Sequence, residues 1–164
     1  MGTNILIPSD NQICAEDQQG RLDPWWIVGF VDGEGCFSIS VFKNATSKSG
    51  YQVFPEFVVT QGAKSLEALE RLQEFFDCGK IYENRRTDNH RENLYRYCVR
   101  SISDIQMKII PFFLKNNLQT AKQQDFIVFC KVINLMNNRL HLTENGLKSI
   151  RNLAATTNRR KLRI

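Results

Sequence analysis

The chain has 164 residues, 42% of them apolar and 24% charged, enough for one packed domain that needs neither disulfides nor a structural metal to fold. Cys14, Cys36, Cys78, Cys98 and Cys130 form no C-x-x-C pair, and His90 and His141 lie outside ligand spacing from them, which argues against a zinc site and for a reducing compartment. The formal net charge is +5, but residues 1–24 carry −3, leaving a body of +8 that favours a polyanionic partner and, with no long apolar run, gives no sign of a membrane segment.

Residues 1–23, rich in Asn, Gln and Asp, read as a loosely ordered arm. Asp23 and Pro24 then specify a helix entrance, since aspartate caps and a first-turn proline loses no needed N–H. Trp25, Trp26, Ile27, Val28, Phe30 and Val31 give this helix apolar surface nearly all round, so it is expected to be buried. Gly29 and Gly33 fall one turn apart on one face, where another backbone can come close. Gly33 and Gly35 bracket Glu34 in a tight exit, and Cys36–Val41 alternates as a half-buried strand. Strands follow near 36–44 and 51–61, and a helix near 65–77 begins at Ser65 and stops near Gly79, with Leu66, Leu69, Leu72 and Phe76 facing the core. Strands near 80–86 and 94–101 precede helices near 103–114, interrupted by Pro111, then near 121–137 and 143–155. Helices flanking antiparallel hairpins mean an α+β fold in the order αββαββα. A single domain over 24–158 and a basic tail at 159–164 complete the division.

The stretch Trp26-Ile27-Val28-Gly29-Phe30-Val31-Asp32-Gly33-Glu34-Gly35 resembles the signature of the LAGLIDADG homing endonucleases. Phe57-Val58-Val59-Thr60-Gln61 resembles that family's second strand and its glutamine, and Pro111–Leu114 followed by Thr120–Phe126 resembles the later helix entrance with its active-site lysine. The pieces occur in family order over residues 24–155. A simple helix-to-strand turn explains the first piece but not all three, and a nucleotide-binding glycine loop would follow a strand and open a helix, the reverse of the order here.

The resemblance implies a curved antiparallel sheet forming a DNA-binding saddle, and two motif helices packed side by side. With one motif in this chain, the expectation is a homodimer meeting through Trp26, Gly29, Phe30 and Gly33, by a two-fold contact in which each patch meets itself. Glu34 and the Gly33 carbonyl would hold a divalent ion, Mg²⁺ with Mn²⁺ able to substitute and Ca²⁺ able to bind without supporting cleavage. Hard oxygen donors suit such ions, and two facing carboxylates tolerate each other with a cation between them. Gln61 would orient water and Lys122 would stabilise the transition state, with Thr120 or Lys115 as alternatives for the lysine position and Lys64 at the periphery. Asp32 is a weaker metal candidate, better suited to satisfying backbone donors near the turn. Cleavage across the minor groove with short 3′ overhangs is implied.

For the DNA surface, strand alternation separates Phe37, Ile39 and Val41 from Ser38, Ser40 and Phe42, and Tyr95, Tyr97 and Val99 from Arg96, Cys98 and Arg100. Ser38, Ser40, Gln52, Tyr82, Asn84, Arg86, Arg96 and Arg100 are candidate DNA contacts on the wet face, where arginine can reach guanine and Asn or Gln adenine. Phe54, Glu56 and Val58 share that face, although the second strand separates poorly by polarity. Lys43 and Lys48, placed on loops, would touch phosphates. The expected activity is site-specific, metal-dependent hydrolysis of double-stranded DNA at a long pseudo-palindromic target. The alternatives are an intron maturase of the same fold, with host intron RNA as partner, or a non-catalytic DNA-binding protein. The expected location is intracellular, in an organelle (chloroplast or mitochondrion) or the bacterial cytoplasm.

Overall fold

The computed structural model describes residues 22–47, 49–84 and 93–157. Lys48, Arg86 and the 159–164 tail, singled out above, lie outside the described residues, as does most of the 1–23 arm. Leu22, assigned to that arm, is buried in the core, and Asp23 caps α1 (Pro24–Glu34), its carboxylate accepting from the backbone N–H groups of Trp25 at 2.7 Å and Trp26 at 3.1 Å.

The chain passes from α1 straight into β1 (Gly35–Lys43), turns back through β2 (Tyr51–Gly62) and continues to α2 (Leu66–Phe76), β3 (Lys80–Asn84) and β4 (Leu94–Val99). The four strands pair antiparallel in the order β1-β2-β4-β3. One turn of helix, α3 (Ile102–Asp104), leads through a π turn (Ile105–Ile109) into α4 (Ile110–Lys115), and α5 (Lys122–Asn137) and α6 (Glu144–Thr157) follow. The αββαββα order expected from the sequence is present, with extra helices at the end.

Helices on one face of the sheet enclose an aromatic core. Phe37 of β1 is its hub, with ring centroids of Phe57 at 5.2 Å, Phe126 at 5.1 Å, Phe113 at 5.5 Å and Phe129 at 5.5 Å. Such tilted and edge-on pairs add to simple area burial. Tyr97 joins them from β4 and, being buried, gives its hydroxyl a partner by donating to the Cys78 carbonyl at 2.9 Å.

One local expectation is corrected and two are refined. Ser65 makes no capping bond; a 3-10 turn over Ala63–Ser65 leads into α2 instead. That helix ends on Asp77 in the left-handed region at φ 47°, a conformation aspartate tolerates better than most residues, while Lys108 donates to the Asp77 carbonyl and carboxylate. Pro111 marks the expected interruption, which takes the form of a π turn rather than a break in the chain's helical course. It has no N–H for the carbonyl four residues back, and the wide π turn just before it, with Ile110 N–H reaching the Ile105 carbonyl, is where the ladder resets.

Among the described residues, no helix is long and apolar enough to cross a membrane.

Candidate active site and nucleic-acid interface

Helix α1 buries only one face, through Ile27, Val28 and Val31, so the expectation that it is covered all round is corrected. Its apolar residues exceed what one sheet can cover. Trp25 is 62% exposed, and Trp26, 41% exposed, stacks on Phe30 with ring centroids 4.8 Å apart. A Cβ built on Gly29 or Gly33 would meet nothing within 4 Å, so these glycines lie on an open surface. Gly35 is different. Its Cβ would fall 2.8 Å from the Val31 carbonyl oxygen and 2.6 Å from a Val31 methyl, so glycine is needed where helix becomes strand.

Glu34 is the last residue of α1 and is exposed. The carbonyls of a helix's last turn have no intrahelical partner, and here they accompany the Glu34 carboxylate. Lys122, at the start of α5, reaches the same end and donates to the Val31 carbonyl at 2.8 Å. Burial lowers its ammonium pKa below the ordinary 10.5, opposed by the Cys36 thiol and the carboxylates of Asp32, Glu34 and Asp125. Gln61 lies two residues beyond the Gly35–Val59 pair, at the α1 end of the sheet and on the side of Phe57 and Val59. Glu34, Lys122 and Gln61, far apart in sequence, are therefore gathered at one end of the fold.

Asp32 does satisfy backbone donors, but across 87 and 88 residues rather than at its own turn. Its carboxylate accepts from Gln119 N–H at 2.7 Å, Thr120 N–H at 3.3 Å and the Thr120 hydroxyl at 2.7 Å. The Thr120 hydroxyl oxygen in turn accepts from Lys122 N–H at 3.2 Å, as a cap for α5. Thr120 is thus committed to holding the loop, and exposed Lys115 and Lys64 lie on other elements.

The face of the sheet away from the aromatic core carries a second set of residues. Registers place Ser38 opposite Glu56, Ser40 opposite Phe54, Thr60 opposite Arg96, and Tyr82 opposite Arg96 on its other side. Ser38, Ser40, Gln52, Tyr82, Asn84, Arg96 and Arg100 all belong to this open face. Lys43 does not: it is the last residue of β1 rather than part of a loop, and shares the side of Ile39 and Val41. Gln52 accepts from the Asn44 side-chain amide at 2.9 Å.

Sequence reasoning placed Glu56 on the open face but gave it no partner and no role. It is 6% exposed on the open face, where it accepts from the Arg96 terminal nitrogen at 3.0 Å and from Arg100 Nε. Arg100 also lies over the Tyr82 ring at 4.8 Å and the Phe54 ring at 5.6 Å. A signal was available: an acid between Phe54 and Val58 in one strand, and two arginines at matching parity in another.

These geometries can be set beside known proteins. Residues 27–133 match the family described as LAGLIDADG endonuclease. The chain belongs to the LAGLIDADG endonuclease family. Among the relatives of this LAGLIDADG chain is the Podospora anserina protein described as an uncharacterized 50.9 kDa protein in ND4 intron 1, 38% identical over 125 residues. The match covers 75% of this chain but only 26% of that relative, so the chain spans about a quarter of its length. The crystal structure of the homing endonuclease I-TnaI superposes with a TM-score of 0.77 at 39% identity, covering 84% of this chain and 89% of that one. I-SmaMI bound to an uncleaved DNA target in the presence of calcium ions gives a TM-score of 0.75 at 36% identity, over 83% of this chain and 45% of that one.

Proposed function

We propose that this LAGLIDADG chain is a site-specific double-strand DNA homing endonuclease that depends on a divalent metal and works as a homodimer. The observation that carries the proposal is the convergence of Glu34, Lys122 and Gln61 at the end of a helix whose outer face, with Gly29 and Gly33, is open. A glycine face flanked by Trp26 and Phe30 suits close packing of a second motif helix, which would bring two Glu34 carboxylates together. Duplex DNA lies across the open sheet face, read by Ser38, Ser40, Gln52, Tyr82, Asn84, Arg96 and Arg100.

The donor chemistry fits Mg²⁺, since Glu34 and the Gly33 carbonyl offer hard oxygens. Among the described residues no three His, Cys, Asp or Glu side chains form a cluster that could hold a metal; in the proposed site a second copy and phosphate oxygens would supply further donors. A bound Mg²⁺ would lower the pKa of a coordinated water and neutralise charge on the phosphate. Gln61 orients the attacking water by hydrogen bonding. Lys122, held on the Val31 carbonyl, keeps its positive charge beside the carboxylates and stabilises the charge that develops at phosphorus. The relative's place within an intron of ND4 supports an intron-encoded origin and action in an organelle.

The test is to offer a randomised duplex library with Mg²⁺, with Ca²⁺ or with EDTA, and to sequence cleaved and bound ends. Mg²⁺-dependent cutting at one long pseudo-palindromic site supports the reading; binding without cutting overturns the nuclease. Glu34→Gln is expected to slow cleavage by at least about a hundredfold with duplex binding retained.

A further inference from the structure

Resting on the proposed DNA-binding role of the open sheet face, we propose that Glu56 is a specificity-positioning residue that pre-orients Arg100, with Arg96 beside it, to read guanine in the major groove. Arg100 is constrained from two directions. Its Nε is bonded to Glu56 Oε2, and its guanidinium carbon lies over the Tyr82 ring, 4.8 Å from the centroid. Together these restrict the rotamers open to the group. Among the described residues Glu56 is the carboxylate that Arg100 pairs with, through Nε, and the Cys98 thiol lies within hydrogen-bonding reach of the guanidinium.

A guanidinium can present two parallel N–H directions from its terminal edge, matching guanine O6 and N7. A free surface arginine samples many rotamers and loses that freedom on binding, whereas a tethered one has already lost it. Burial of Glu56 beneath the two arginines, whose side chains are 40% and 41% exposed, keeps the acid itself from the groove. The carboxylate acts through the arginines and need not touch DNA. Glu56 lies three residues along β2 from Val59, which pairs with Gly35 at the active end, or about 10 Å at a strand's rise per residue. The guanine should therefore fall a few base pairs from the cleaved bonds.

The experiment measures duplex preferences with Ca²⁺, sequencing bound DNA from a randomised library, for the full chain and for Glu56→Gln and Arg100→Lys. The full chain is expected to favour guanine at one such position by about tenfold or more over other bases. Arg100→Lys, which keeps the charge and loses the fork, and Glu56→Gln, which keeps the shape and loses the tether, should both flatten the preference at that same position. NMR of the protein alone gives a DNA-independent reading: a protected Arg100 Nε–H signal should be present and should be lost in Glu56→Gln. A preference that survives both substitutions, or an Nε–H signal indifferent to Glu56, overturns this inference alone. No enrichment by the unsubstituted chain overturns the duplex-binding function and the inference with it.

Discussion

Glu56 and Phe57 are neighbours in one strand, both at most 6% exposed, and they are buried in opposite ways. Phe57 is enclosed by other rings, with Phe37, Phe76, Tyr97 and Phe113 around it. Glu56 is roofed by two half-exposed arginines. The first kind of burial holds the domain together. The second organises a surface, and because its partners remain in contact with water it contributes little to stability.

The sharpest break of this contrast is Phe57→Ala, expected to cost about 3–5 kcal/mol through lost transfer and a cavity, while Glu56→Gln costs no more than about 1 kcal/mol. Urea unfolding of the two variants side by side checks it, and equal losses would refute it. Asp32→Ala comes next, at about 2 kcal/mol, because three donors on Gln119 and Thr120 lose a charged acceptor. Faster hydrogen exchange at Gln119, Thr120 and Lys122 should accompany that loss.

A smaller effect separates the two faces of α1. Gly29→Ala fills open space in the isolated chain and should stabilise the helix by about 0.5–1 kcal/mol, yet weaken self-association measured by sedimentation. A variant that melts lower, or associates unchanged, would refute the open glycine face as a packing surface. The last effect is alkaline. Burial pushes the Cys130 thiol from an ordinary 9.0 to about 11, so above pH 9 the unfolded chain ionises first and binds fewer protons. Stability should be full below pH 9 and decline up to about pH 11, with Cys130→Ser reducing the slope.

The core side was legible because alternation and burial coincide there: Phe37, Ile39, Tyr97 and Val99 are where period two places them. The Asp23–Pro24 entrance was legible because a cap and a first-turn proline act locally. The open face was legible in its polarity but not in its pairings, since nothing in the order of residues says that one carboxylate serves both Arg96 and Arg100. Asp32 could be assigned to backbone donors, yet its partners stand 87 and 88 residues away and only packing brings them near. Ser65 misled because a serine before a helix is a common cap, and a 3-10 lead-in removed the need for it.

The bonds from Asp32 to Thr120 and from Lys122 to the Val31 carbonyl end on α1 itself. The ammonium is therefore tied to the helix that carries Glu34, even though its own helix, α5, packs on the sheet. If α1 tilts or slides as a second copy settles against it, this bond would make the carboxylate and the ammonium move together. In the proposed dimer, errors in docking would then displace the pair relative to DNA with less change in the spacing inside it, so the tolerance of the assembly would be set by how the duplex is held more than by how its reacting groups are aligned.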